Sequence, residues 1–291
     1  MESQPLTPEK HLKLMTTTEQ MIVSFSRDID TWMYQKKYLP ILQSKLKEFF
    51  EKKSEQVTTT EVNPILQTDQ IFKNLNTILS FAIHLSFLYC DLGTALRHSF
   101  IAKLDYEKRY AIKHLNVIMT EGYSRIYGFE NKNEKKKYEQ INKSFWIKSI
   151  KPICESISQE CLCRYYETGK TIIAIGTIFD KNKRNITVHY DTNVEKVYKM
   201  LLSLNLEVES QKVIKFLNLL EELINFAKEI LILENKKLES QQNKFSIQME
   251  SFRNLIYELQ SKVPDELKSK YDEMISKFND GFARIENLIK L

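Results

Sequence analysis

The sequence predicts an all-α protein, a bundle of helices without a β-sheet. The 291 residues include only six glycines and six prolines, and neither residue occurs between Gly176 and Pro264. Because glycine and proline are the residues that most often interrupt regular structure, so long a stretch without them is typical of long helices. Apolar residues also recur three and four positions apart through most of the chain, which is the spacing of one helix face.

The composition indicates a globular protein. Hydrophobic residues make up 42% of the chain and aromatic residues 11%, which is enough for one large or two ordinary domains. The net charge of +5 permits a polyanionic partner without requiring one. The amino-terminal MESQPLTPEK lacks the features of a signal peptide, and the apolar stretch ILSFAIHLSFLYCDLG, interrupted by His84 and Asp91, is shorter than a bilayer requires. We therefore expect a cytoplasmic protein with no membrane partner.

The four cysteines do not form a recognisable metal site. Cys161 and Cys163 form a C-x-C pair, but no paired C-x-x-C sets or nearby histidines complete a zinc-binding pattern. A glycine-rich phosphate loop, an H-E-x-x-H motif and a nucleophile elbow are also missing from the sequence. We therefore predict no metal and no cofactor, and we expect reduced thiols.

Residues 1–60 are predicted to form an amino-terminal helical segment. A helix is expected over residues 9–37, with a kink or a break at Pro40 and a second helix after it. The polar EQVTTTEVNP, which ends at Pro64, is predicted to be a linker. The apolar positions of the first helix are Leu14, Met21, Ile22, Phe25, Ile29, Trp32 and Met33.

Residues 66–235 are predicted to form the central helical domain. Thr68 or Asp69 is the expected N-cap of a helix that reaches Gly93, and a second helix should follow to about residues 122–128. A helical stretch bent at Pro152 then precedes a turn at residues 180–183. Thr192 and Glu195 fit a capping box for the next helix. A last helix presents a wide apolar stripe: Val213, Phe216, Leu217, Leu220, Leu223, Ile224, Ala227, Ile230 and Leu231.

Residues 236–291 are predicted to form a carboxy-terminal helical hairpin whose two helices meet at Pro264. The apolar positions of both arms are sparser than in the central domain. Such a hairpin is suited to packing or to dimer contacts.

The turn at residues 180–183 leads into Lys183–Asp191, written KRNITVHYD. Its Arg184, Asn185 and His189 resemble the motif of the HEPN superfamily, in which an arginine and a polar residue are followed by a histidine. These are all-helical domains, many of them metal-independent ribonucleases of toxin and antiviral systems. The resemblance could cover residues 66–235. It implies a HEPN-like core, a homodimer that builds the active cleft, and an RNA substrate, either single-stranded RNA or tRNA. An antitoxin or another regulatory protein would be a further possible partner.

The motif contains groups suited to RNA cleavage without metal. That reaction needs a base for the 2′-hydroxyl, an acid for the leaving 5′-oxygen and positive charge for the phosphorane. His189 is the candidate acid or base, and Arg184 is the candidate stabiliser of the transition state. Asn185 would orient the histidine or contact a phosphate. The candidate substrate-binding residues are Tyr190 for base stacking and Lys183 and Lys181 for the backbone.

Two other interpretations stay open. Arg109 and His114 form a second, lower-ranked match, but their five-residue offset in a helix is about 500° of rotation, so they would point about 140° apart. Arg184 and His189 could instead serve structure, with the arginine paired to Asp180 or Asp191. The protein would then be a non-catalytic helical module that binds RNA or another protein.

Overall fold

The chain is an all-α helical bundle, as the sequence predicts. The structure is a computed structural model, and it describes residues 8–54, 63–128, 144–179 and 194–260, together with residues 268, 269, 272 and 276. Helices account for 94% of it, and no residue that it describes lies in a β-strand.

The helices follow one another with short connections where the structure describes them. They are α1 (Pro8–Ser54), α2 (Asn63–Ile101), α3 (Asp105–Ile126), a π-helix (Phe145–Ile150), α4 (Lys151–Ile157), α5 (Gln159–Gly176), α6 (Val194–Ser203) and α7 (Leu206–Gln260).

The chain divides into two compact units. The first comprises Met1–Thr59 and Phe72–Glu234, and the second comprises Thr60–Ile71 and Asn235–Leu291. In the second unit, the hydroxyl of Thr68 donates to Oε1 of Gln241 at 3.1 Å and so joins α2 to α7. The domain boundaries expected at residues 60, 66 and 235 stay predictions. The hairpin turn expected at Pro264 lies outside the described residues.

Helix α2 lies at the centre of the first unit and is buried on most of its circumference. Over Thr68–Ile101 it is the one helix in the described part of the chain that is long and apolar enough to cross a membrane by length and composition. Its apolar window is longer than the sequence interpretation allowed. The protein itself buries 67% of the 18-residue apolar window of α2. The core helix of a soluble protein meets the same criteria of length and composition. The buried side chains include Ile78, Leu79, Phe81, Leu85, Leu92 and Leu96.

Helices α1 and α7 supply the expected apolar faces around this core. Every predicted stripe residue of α7 is buried except Leu231, which is partly buried. In α1, Phe25 and Trp32 are buried, but Met33 is 51% exposed, contrary to the expectation. The reason is that Met33 follows Trp32 by about 100° around the helix and therefore points outward. Lys228 of α7 donates to Asp28 of α1 at 2.7 Å and fastens the two helices.

Three expected helix boundaries differ from the structure. Helix α1 continues through Pro40, so the break is wrong, whereas the alternative expectation of a kink stays a prediction. Helix α2 also continues through Gly93 and begins at Asn63, so Thr68 and Asp69 lie inside it and do not cap it. Gly93 is used for packing, because a Cβ there would lie 2.9 Å from the side chains of both Thr18 and Ile22 of α1.

The boundary between α6 and α7 lies at Leu204 and Asn205, where the chain leaves the helix. The side-chain oxygen of Asn205 accepts hydrogen bonds from the N–H groups of Glu207 at 2.9 Å and Val208 at 3.3 Å. Asn205 is therefore the N-cap of α7. The capping box expected at Thr192 lies outside the described residues.

A π-helix precedes Pro152, where the sequence predicts a bend. Proline has no N–H, and its ring would clash with the carbonyl four residues earlier, which is that of Lys148. Pro152 is the second residue of α4, in the first turn of a helix, where a missing N–H is tolerated. The chain leaves the helix only at Ser158, whose extended backbone separates α4 from α5 and whose hydroxyl accepts the N–H of Cys161 at 3.1 Å.

Trp146 of the π-helix anchors this region in the core. It is 1% exposed and lies parallel to Tyr165 of α5, with ring centroids 4.5 Å apart. The hydroxyl of Tyr165 donates to the carbonyl of Trp146 at 3.3 Å. The π-helix is therefore held to α5 by both stacking and a hydrogen bond.

We expect Trp146→Ala to lower the free energy of unfolding by about 3–5 kcal/mol, because it empties a fully enclosed ring site. Urea denaturation followed by circular dichroism measures the change. Tyr198→Ala is the matched control, since that ring is mostly exposed and its loss should change the free energy by about 0.5 kcal/mol or less. Equal losses in the two variants would contradict the packing described for Trp146.

Candidate functional site

The residues of the HEPN-like motif lie outside the part of the chain that the structure describes. Arg184, Asn185 and His189, together with Lys181, Lys183 and Tyr190, belong to the segment that joins α5 to α6. Their proposed catalytic and substrate-binding roles therefore stay predictions.

In the described part of the chain, a groove lies where α2 ends and α3 begins. Its volume is about 760 Å³, within the range of pockets that bind small ligands or parts of larger ones. We call it the α2–α3 groove. It is lined by Ala95, His98, Ile101, Ala102, Lys103, Leu104, Tyr106, Glu107, Tyr110, Ala111 and His114.

The local sequence explains how the groove forms. Helix α2 closes with a hydrogen bond from the N–H of Ala102 to the carbonyl of His98 at 3.1 Å. Leu104 is extended, with φ −89° and ψ 141°, and α3 starts directly after it. The carboxylate of Glu107 accepts the N–H groups of both Lys103 and Leu104 at 3.2 Å. These bonds fix the short turn, so the last turn of α2 and the first turns of α3 line one space.

The wall of the groove is apolar and aromatic. Tyr106 is 71% exposed and Tyr110 is 60% exposed, and they lie one helical turn apart on α3. Ile101 and Leu104 are also more than half exposed. The ring of Tyr110 is parallel to that of His114, with centroids 6.5 Å apart and an angle of 4°. A contiguous exposed patch of this kind is typical of an interaction surface.

The polar groups of the groove favour a negatively charged ligand. Lys103 is positively charged, His98 and His114 each offer an imidazole N–H donor, and all three side chains are exposed. Glu107 is the one carboxylate among the lining residues, and its oxygen already accepts two backbone N–H groups. The groove therefore combines flat apolar surfaces with cationic groups at its rim.

The structure does not bring Arg109 and His114 together. A guanidinium nitrogen of Arg109 donates to the carbonyl of Leu201 in α6 at 3.3 Å. Arg109 also lines a separate, much smaller cavity between α3 and α6, whereas His114 lines the α2–α3 groove. Tyr106 and Tyr110 line both cavities and stand between the two residues.

His84 belongs to the core and is not part of the groove. Its ring lies nearly parallel to Phe145 of the π-helix, with centroids 6.2 Å apart. Burial lowers the pKa of His84 below its ordinary value, and the nearby positive charge of Arg125 lowers it further. The Nε2 atom is buried and has no hydrogen-bond partner in the described part of the protein. His84 is thus a neutral packing residue.

Cys90 and Cys154 are poorly suited to nucleophilic chemistry. Burial raises the pKa of the Cys154 thiol, and the neighbouring Cys161 raises it further. Burial, with a contribution from Asp91, raises the pKa of Cys90 to about 11. These two thiols are therefore protonated near neutral pH, whereas the thiolate is the reactive form. The described residues contain no group of three His, Cys, Asp or Glu side chains that could hold a metal ion.

Sequence interpretation missed His98 and the groove as a site. The usable signal was the four-residue spacing of Tyr106, Tyr110 and His114, which places aromatic rings along one helix face. The contribution of His98 could not be read from spacing, because it comes from a different helix.

No family model matches this chain, and neither does any curated protein or solved structure. The resemblance to the HEPN motif therefore rests on Arg184, Asn185 and His189 alone.

We expect acid to destabilise the protein partly through His84. Its pKa is lowered in the folded state, so the unfolded chain binds a proton that the folded chain does not. The resulting loss of stability begins as the pH falls below about 6.5, the ordinary pKa of histidine, and is complete below the lowered pKa. In His84→Phe the free energy of unfolding should therefore fall less between pH 7.5 and pH 5.5 than in the wild type.

Urea titrations at several pH values measure this difference. His98→Gln is the control, because His98 is exposed and removing it leaves His84 in place. If His84→Phe and the wild type lose the same free energy on acidification, His84 is not the group responsible.

Proposed function

We propose that this protein binds single-stranded RNA in the α2–α3 groove. The observation that favours this most is the pair of exposed tyrosines, Tyr106 and Tyr110, beside His98, Lys103 and His114. Bases of a single strand stack on aromatic side chains, and each such contact contributes about 1–3 kcal/mol. Lysine and protonated histidine attract the phosphates between the bases.

The distribution of charge along α3 supports a nucleic-acid ligand over an uncharged one. Arg109 and Lys113 line the neighbouring smaller cavity and extend the positive charge beyond the groove itself. Asp105 lies 4.0 Å from Lys108, and Glu107 is bound to the turn, so both acidic residues have local partners. A single strand fits better than a duplex, because only unpaired bases present their faces to the tyrosines.

We expect Tyr110→Ala and Tyr106→Ala each to weaken RNA binding by about 5- to 100-fold, which corresponds to the loss of about 1–3 kcal/mol of stacking. Fluorescence anisotropy with a labelled, mixed-sequence single-stranded RNA measures the dissociation constant. Binding should also weaken as salt is raised, because phosphate contacts release counterions.

Tyr166→Ala is the matched control for these variants. Tyr166 is exposed on α5 and does not line the groove, so its loss should leave the dissociation constant within about twofold. Equal affinity of all three variants and the wild type would exclude the groove as the RNA site. Tight binding of an acidic peptide, with none of RNA, would point to a protein partner.

A second candidate function is metal-independent cleavage of RNA by the KRNITVHYD segment. The sequence match of Arg184, Asn185 and His189 to the HEPN motif supports it. The motif also directly precedes α6. In that helix, the carbonyl of Leu201 accepts a hydrogen bond from the guanidinium of Arg109 in α3. On this proposal the protein is a cytoplasmic endoribonuclease of toxin or antiviral-defence type. A homodimer would bring two histidines into one cleft, and an antitoxin or other regulatory protein would control it.

We expect Arg184→Ala and His189→Ala each to reduce cleavage of single-stranded RNA or tRNA by about 10²- to 10⁴-fold in a chelating buffer, if this segment performs the chemistry. Gel analysis of a labelled substrate measures the rate. Asp180→Ala and Asp191→Ala separate catalysis from structure, because they remove the possible ion-pair partners of Arg184 and leave both catalytic groups. Cleavage at wild-type rates in the Arg184 and His189 variants would exclude the motif.

A further inference from the structure

Two histidines from different helices line the α2–α3 groove. His98 is in the last turn of α2, and His114 lies nine residues into α3. Both are exposed to solvent, so each can exchange protons with water and with a ligand in the groove. Lys103, in the turn that joins the two helices, lines the same groove.

We propose that the α2–α3 groove is itself a site of metal-independent RNA cleavage. In this site His98 and His114 are the acid and base, and Lys103 stabilises the charge that develops on the phosphate. The proposal rests on the RNA binding proposed above for the same groove. It differs from cleavage by the KRNITVHYD segment because all three groups come from described residues of one chain.

The reaction is an internal transfer of the phosphoryl group. One histidine, in its neutral form, removes the proton of the ribose 2′-hydroxyl, and the 2′-oxygen attacks the adjacent phosphorus. The bond from phosphorus to the 5′-oxygen of the next nucleotide breaks. The other histidine, in its protonated form, donates a proton to that departing oxygen. The products are a 2′,3′-cyclic phosphate and a 5′-hydroxyl, and no electrons or further reactants are needed.

The backbone of the groove is fixed in the absence of a ligand. The N–H of Lys103 donates to the carboxylate of Glu107, and the carbonyl of His98 accepts the N–H of Ala102. The ring of His114 lies parallel to that of Tyr110, with centroids 6.5 Å apart. Alanines at positions 95, 102 and 111 line the same space and leave room for a ribose and its phosphate. Tyr106 and Tyr110 offer the stacking surfaces for the flanking bases.

The groove contains both an acid and a base, whereas a single copy of the KRNITVHYD segment would contain only one such group. Cleavage without metal needs an acid and a base at once, and that segment contains one histidine. The α2–α3 groove contains two. A monomer therefore has a complete set of groups for the reaction.

Cleavage and binding of the same single-stranded RNA distinguish the proposal from its alternatives. The full-length wild type, His98→Ala, His114→Ala and Lys103→Ala are compared in a chelating buffer. We expect each histidine variant to lose about 10²- to 10⁴-fold in kcat while its dissociation constant changes by less than about tenfold. His84→Phe and Lys170→Ala are the matched controls, since His84 is a core residue and Lys170 is exposed on α5. Circular dichroism verifies that every variant is folded.

A substrate with sulfur in place of the bridging 5′-oxygen identifies the acid. The thiolate leaves without a proton, so the variant that lacks the acid should recover most of its rate on this substrate. The variant that lacks the base should stay slow. A 2′-deoxy nucleotide at the cleaved position should abolish the reaction, because the attacking hydroxyl is missing.

Several outcomes would overturn the proposed cleavage. The RNA binding proposed above is tested separately, by the dissociation constants. These outcomes are wild-type kcat in either histidine variant, rescue of neither variant by the sulfur substrate, products without a cyclic phosphate, and no cleavage by the wild type. Normal binding with any of these results leaves a non-catalytic RNA-binding groove. A loss of binding in the tyrosine variants, together with wild-type kcat in both histidine variants, would show that the groove is a binding site only.

Discussion

The first unit of this protein is organised by the need to cover a helix that is apolar on nearly all sides. Helix α2 has fully buried side chains such as Ile78, Phe81 and Leu92, and a helix of that kind is stable only when others surround it. Its neighbours include α1, which packs on Gly93, and α7, where Glu234 accepts a hydrogen bond from Asn74 at 2.7 Å. Cover is incomplete at the carboxy-terminal end of α2, and the candidate site lies there.

Close approach between these helices depends on glycines inside them. A Cβ at Gly93 would press on Thr18 and Ile22 of α1, and one at Gly122 in α3 would overlap the side chain of Leu88 in α2. Such contacts allow α1 and α3 to pack directly against the central helix. The cost in helix propensity, about 1 kcal/mol per glycine, is offset by the packing that becomes possible. Glycine in this chain therefore marks helix contacts as well as helix ends.

The fold class could be predicted from the sequence because it depends on spacing and on the scarcity of breakers, both of which are local. Helix boundaries were harder to predict, since Gly93 has a packing role that becomes visible only when α1 is in place. Asn205 was missed as a cap although asparagine is a favoured N-cap residue, because apolar residues flank it on both sides. The candidate site was harder still. His98 follows Arg97, which pairs with Glu19 of α1 at 3.3 Å. Because successive residues of an α-helix point about 100° apart, the side chain of His98 points in a different direction from that of Arg97.

The two candidate cleavage sites make different demands on assembly. A segment with one histidine needs a second copy of the chain to supply both an acid and a base, so its activity per chain rises with protein concentration until the dimer is saturated. The α2–α3 groove has both histidines in one chain, so activity proposed for it would be independent of protein concentration per chain. The tyrosines support this second arrangement, because a single strand stacked on Tyr106 and Tyr110 would pass beside His98 and His114 without any contribution from another subunit. On this proposal, α2 and α3 of one chain would supply the binding groups and both acid–base groups together.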